Sequence, residues 1–147
     1  MTAIEFSVPG APVGKGRPRI GRRGPHARMF TPEKTVAYES TVALFASQAM
    51  AGQALFDGPV RVVLHLVCAI PASWSTKKRQ SAIGHQIRPT TKPDIDNTAK
   101  ALFDAMNGVV WRDDVQVVEL TARKMYGEAP MAKVWVSCVK PLDFENL

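Results

Sequence analysis

The stretch "VRVVLHLVCAI", residues 60–70, constrains the fold most strongly, because it is an unbroken run of mainly β-branched and aliphatic residues held between Gly58-Pro59 and Pro71. Such a run, closed by chain breakers at both ends, reads as a well-buried strand. His65 within it is expected to pack in the core, since no second histidine stands at metal-ligand spacing. The segment "AIEFSVPG" alternates apolar and polar residues and predicts a short first strand that turns at Pro9-Gly10. Near the other end, "VQVVELTARKMY" and "MAKVWVSCV" read as two further strands. Joined across Gly127-Glu128-Ala129-Pro130, they predict a C-terminal hairpin.

Helical punctuation fills the intervals. In "FTPEKTVAYESTVALFASQAMAG", Thr31 stands as an N-cap, Pro32 at the first helical position and Gly52 beyond the end. Tyr38, Val42, Phe45 and Ala49 form its apolar stripe. "PASWSTKKRQSAIG" predicts a short helix capped by Ser73 or Ser75 and stopped at Gly84. A third helix is expected after Lys92-Pro93, capped by Asn97, with Ala99, Leu102, Phe103 and Met106 on one face and Asn107-Gly108 at its end. The expected fold class is α+β: a mixed β-sheet of about four strands flanked by two main helices.

A chain of 147 residues, 46% of them hydrophobic, is long enough for one core, so residues 1–147 are expected to form a single domain. No apolar run approaches the roughly 18 residues of a membrane span, and the N-terminus lacks the order of a signal peptide. A soluble, cytoplasmic protein is the expectation. Cys68 and Cys138 lie in strand-like segments without metal-knuckle spacing and are read as small core residues. Trp74 and Trp111 are expected to pack rather than to stack on bases.

The net charge of +6 matters chiefly for its distribution. Residues 15–28 carry Lys15, Arg17, Arg19, Arg22, Arg23 and Arg28 with no acid, and residues 72–92 carry Lys77, Lys78, Arg79, Arg88 and Lys92, again with none. Clusters of this kind neutralise phosphates and release counterions, which favours nucleic acid. With glycines and prolines between its arginines, the first cluster is expected to be a loop, a flexible basic arm at about residues 14–28 able to follow a DNA backbone. A merely solvated basic face is the competing reading.

Against that background the acids of "TKPDIDNTAKALFDAMNGVVWRDDVQ", residues 91–116, stand out. Proline enforces an extended approach, which places Asp94 and Asp96 on one face. Lys100 follows Asp96 by one helical turn and Asp104 by a second. The chain from Met106 is long enough to bring Asp113 or Asp114 back to the pair, although neighbours in a strand point apart and only one of them joins. Two carboxylates about 4 Å apart repel by about 4 kcal/mol at an effective dielectric near 20. Oxygen ligands gathered in this way select Mg²⁺, or Mn²⁺, and no small-molecule cofactor is implied. Beside a basic surface, that points to phosphoryl chemistry. Singly, each acid has a plainer reading as a helix cap, an exposed i, i+4 pair or a turn residue.

The strings "KPDIDNTAK", "FDAMNG" and "WRDDVQV", in this order and spacing, resemble the RusA-type Holliday junction resolvases, and "GAPVGKGRPR" and "TPEKTVAYE" resemble the N-terminal part of phage or prophage members. The resemblance covers most of the chain. It implies a RusA-like fold and a homodimer that makes paired Mg²⁺-dependent nicks in four-way DNA junctions. It also implies Asp94, Asp96 and Asp114 as metal ligands and Lys100 as the essential lysine. The DNA contacts are expected, from the two basic clusters themselves, at Lys15, Arg17, Arg19, Arg22, Arg23, Lys77, Lys78, Arg79 and Lys92. The alternatives are a non-catalytic basic DNA-binding protein and a nuclease for other branched DNA such as flaps.

Overall fold

A computed structural model describes residues 3–16, 19–23, 26–30 and 32–147. Arg17, assigned to the basic arm, and Thr31, assigned as a helix cap, lie outside the described residues. The order of elements is β1 (Ala3–Pro9), β2 (Arg19–Arg23), β3 (His26–Phe30), α1 (Glu33–Met50), β4 (Val60–Ala69), α2 (Thr76–Ile83), α3 (Ile95–Met106), β5 (Val117–Gly127) and β6 (Met131–Cys138).

Four strands form one mixed sheet in the order β1-β6-β4-β5. The long apolar strand β4 occupies an interior position, parallel to β5 and antiparallel to β6. This overturns the expected C-terminal hairpin. β5 and β6 are each continuous strands, but β4 lies between them, and the short link after Gly127 steps over it. Two strand spacings amount to about 10 Å, a distance that three or four extended residues can cover. A parallel β4–β5 pair needs a long crossover, and α2 and α3 lie within it.

One sheet face carries the core. Val62, Leu64 and Leu66 of β4 and Ala132, Val134 and Val136 of β6 pack with Tyr38, Val42, Ala46 and Met50 of α1 and with Ala99, Ala101, Leu102 and Met106 of α3. Full burial of a side chain such as Leu102 contributes about 1.5–3 kcal/mol. Of the predicted α1 stripe, Tyr38 and Val42 are buried, whereas Phe45 and Ala49 pack half-buried at its margin.

The other face of β4 is more open, which corrects two expectations. His65 is half-buried there, edge-on to Trp135 with ring centroids 4.8 Å apart, rather than sealed in the core. Cys138 is exposed and Cys68 only partly covered, so neither is a core residue in the expected sense. Burial, reinforced by Arg123 on β5 and Lys133 on β6, lowers the His65 pKa below its ordinary 6.5. An unfolded chain therefore binds the proton first as acid is added. Stability linked to His65 is full above about pH 6.5 and is lost as pH falls through the folded-state value. Thermal melts between pH 7 and 5 should show a decline that His65→Gln flattens; an unchanged slope in that variant would assign the decline to other groups.

The basic arm contains structure where a loop was expected. β2 and β3 pair antiparallel from Arg19↔Phe30 to Arg23↔His26, a two-stranded hairpin separate from the main sheet. Arg19, Arg22 and Arg23 lie on β2. At the root of this hairpin, Lys15 N–H donates to the Asn97 carbonyl at 2.9 Å and Gly16 N–H to Thr35 Oγ1 at 3.0 Å. A Cβ at Gly16 would stand 2.7 Å from Pro32 Cγ, so only glycine permits this approach to α1.

Candidate active site

The helix that carries most of the acidic window starts earlier than the sequence suggests. Asp94 is the N-cap of α3, with extended backbone but no side-chain cap bond, and Asp96 lies in the first turn. Asn97, expected as the cap, is inside the helix, where its amide donates to Asp94 Oδ2 at 3.2 Å. The Asp94 carbonyl accepts from both Thr98 N–H, at 3.0 Å, and Thr98 Oγ1, at 2.9 Å. Because Asp96 is already helical, the extended-chain argument for one shared face fails.

Farther along α3, Lys100 pairs with Asp104, Nζ to Oδ1 at 3.1 Å. The other oxygen of Asp104 is taken by Lys15, whose Nζ lies 3.0 Å from Oδ2 and 2.5 Å from Glu39 Oε1 on α1. Burial would raise the Asp104 pKa, but the two lysines outweigh it and hold the carboxyl below its usual value. For Lys15, burial pulls the pKa down, and bonds to Glu39 and Asp104 more than restore it, leaving it raised. Lys15, assigned to DNA by the sequence, thus has its charge met within the protein.

After α3 the chain returns through a firmly anchored segment. Trp111 is fully buried; its indole Nε1 donates to Asn107 Oδ1 at 2.7 Å and its carbonyl accepts from Gly108 N–H at 2.7 Å. Phe56 N–H donates to the Val110 carbonyl at 2.8 Å, and Gln116 Nε2 donates to the carbonyls of Phe56 and Gly58. A 3-10 turn at Asp114–Gln116 follows. Here the adjacent aspartates part company. The Asp113 carboxylate accepts from Val115 N–H, while Gln116 reaches back to the Asp113 N–H in a capping box. Asp114 instead lines a cleft with Lys100, Phe103, Val117, Val118, Glu119 and Leu120. Its pKa is raised, by burial first, then by Asp113, with Lys100 opposing.

Asp114 and Lys100 are therefore brought together, with Asp104 beside them, while Asp94 and Asp96 stand exposed at the start of the same helix. The oxygen-only donor set suits a hard divalent cation. Yet among the described residues no three acidic, histidine or cysteine side chains converge as an ion cage, so the expected meeting of Asp94, Asp96 and Asp114 is not preassembled in this chain.

The second basic cluster is ordered. On α2, capped by Ser75, Lys77 and Lys78 are exposed, and Lys78 Nζ lies 4.0 Å from the centroid of the Trp74 ring. Trp74 packs edge-on against Tyr126. Arg79 donates to the Pro71 carbonyl. Arg88 donates twice to the Lys124 carbonyl, and Lys124 Nζ donates to the Thr91 carbonyl, which fastens the approach to Lys92 and Asp94 onto β5. Lys92 itself is exposed. The parts that sequence reading missed, Glu39 and the Lys15 bridge, join residues 24 apart in the chain, and no local pattern signals them.

The edge strand β5 thus borders the cleft that holds Asp114, Glu119 and Lys100, and the lysine-bearing helix α2 packs on the same strand. Comparison with known proteins gives the class. The family model for Endodeoxyribonuclease RusA matches residues 9–137, and the chain belongs to that family, one of endodeoxyribonucleases that resolve Holliday junctions. The chain is also 39% identical over 138 residues to "Uncharacterized protein YqaN" of Bacillus subtilis (strain 168), a match covering 92% of this chain and 96% of that protein.

Proposed function

We propose that this protein is a Mg²⁺-dependent endonuclease that resolves four-way DNA junctions by paired phosphodiester nicks, acting as a homodimer. The observation that carries the reading is the cleft in which Asp114 and Lys100 meet at the edge of the sheet, in a member of the RusA family. Lys100 has a 59% exposed side chain, so its ammonium is accessible to a phosphate oxygen despite the bond to Asp104. Asp114 offers a carboxylate already disposed to hold a proton or meet a cation. Asp94 and Asp96 add exposed oxygens at the start of α3. A bound divalent cation supplies Lewis acidity and lowers the pKa of water.

Lys77, Lys78, Arg79 and Lys92, with Arg17, Arg19, Arg22 and Arg23 of the arm, are assigned to the DNA backbone. The homodimer reading is supported by the edge position of β5, where Val118 and Leu120 are 57% and 45% exposed beside the cleft. Unpaired edges with apolar side chains favour association. Two identical sites related by a two-fold axis suit a junction of similar symmetry.

Substrate choice tests the reading. Purified protein with Mg²⁺ should cut a labelled four-way junction in two strands and cut flap and linear duplex at least about 10-fold more slowly, a difference of about 1.4 kcal/mol in the barrier. Preferential cutting of flaps would move the substrate assignment to other branched DNA. Salt-sensitive binding to every duplex without cleavage would leave only a basic DNA-binding module.

A further inference from the structure

The bridge between the hairpin root and α3 bears on how the cleft lysine is held. Four side chains alternate in charge: Glu39, Lys15, Asp104 and Lys100. The first three have side chains only 22% exposed, whereas that of Lys100 is 59% exposed. Alone, an exposed i, i+4 pair such as Lys100–Asp104 is weak and its two side chains roam. Here Lys15 occupies Oδ2 of Asp104, which fixes the carboxylate plane and presents Oδ1 to Lys100. Lys15 is itself held at both ends, by its backbone bond to the Asn97 carbonyl and by Glu39 across on α1.

We infer that Lys15 is a positioning residue for the nuclease site: clamped between Glu39 and Asp104, it orients Asp104 and shares its charge, so that Lys100 is aimed into the cleft yet remains available to phosphate. Without Lys15, Glu39 and Asp104 face each other uncompensated. The whole charge of Asp104 then falls on Lys100 and draws it out of the cleft. This inference rests on the nuclease reading and withdraws Lys15 from the residues that grip DNA.

The experiment is single-turnover cleavage of a labelled four-way junction in Mg²⁺ at saturating protein, with the junction Kd and its salt dependence measured in parallel. Lys15→Met should cut bound junction at least about 10-fold more slowly, while Kd stays within about 2-fold and the salt slope is unchanged. Lys15→Arg should recover most of the rate, because a guanidinium can bridge two carboxylates. Losses in Lys15→Met and Asp104→Asn should not multiply in the double variant, since both act through one carboxylate. Native cleavage rates in Lys15→Met would overturn the inference. So would a weakened Kd with the bound rate preserved and the salt slope reduced by about one, the mark of a lost phosphate contact. Should Lys15→Met fail to fold by circular dichroism, Asp104→Asn, which keeps the Lys15–Glu39 pair, decides the matter, and a native rate there overturns it. No cleavage by the native protein would overturn both this inference and the nuclease reading; cleavage by native protein and Lys15→Met alike would strike the inference alone.

Discussion

Asp96→Asn is expected to abolish junction cleavage, by at least about 100-fold, while leaving junction binding and folding intact. The separation of effects follows from where the residue sits. Its carboxylate is exposed in the first turn of α3 and takes part in no hydrogen bond or ion pair among the described residues. The most that structure loses is its favourable interaction with the helix N-terminus, about 0.3–1 kcal/mol at an exposed site. The proposed function loses a charged oxygen donor. Parallel measurement of cleavage, junction Kd and melting temperature checks all three. A variant that melts early and cleaves at the native rate when folded would make Asp96 a helix-stabilising residue and nothing more.

Trp111→Ala is expected to have the largest effect on stability, about 3–5 kcal/mol, as removal of a fully buried aromatic side chain generally does. For a chain of this size that lowers the melting midpoint by about 10 °C or more. The residue packs edge-on against Phe103, with centroids 5.7 Å apart, and its loss leaves Asn107 Oδ1 without its indole donor. Because Trp111 lies three residues before Asp114, the same variant should also lose cleavage below its melting point. Denaturant unfolding gives the stability change directly. A change under about 1 kcal/mol would mean that the return segment is held by Gln116 and Phe56 without the indole.

Local patterns in the sequence specify some of this fold and leave the rest to tertiary contacts. Trp111 as a packing residue, the continuous strand β4, helix α2 between Ser75 and Gly84 and the apolar face of α3 all follow from periodicity and breakers, which act over a few residues. Strand neighbours do not. β5 and β6 are adjacent in sequence and joined by a turn-like link, and only the burial demand of β4 places it between them. The hairpin β2–β3 was hidden because arginine, glycine and proline carry no alternating apolar signal.

At the site, the acid window announces itself by composition, but its geometry depends on where α3 begins. The helix starts at Ile95 instead of after Asn97, so Asp96 is already helical while Asp94 is the extended N-cap, and strand alternation no longer sets their shared face. The pair Asp113-Asp114 is symmetrical in sequence and divided in role: one carboxylate caps a 3-10 turn, and the other lines the cleft with Lys100. Lys15 looks like one more charge of the arm until tertiary contacts with α1 and α3 show its carboxylate partners.

The most direct measurement is cleavage of a strand-labelled four-way junction by the native protein, in matched reactions with Mg²⁺ and with excess EDTA, under conditions where binding is saturated. The account predicts paired nicks in two strands with Mg²⁺ and none with EDTA, binding being retained in both. Saturated binding with intact strands in Mg²⁺, or equal cutting in EDTA, would contradict it.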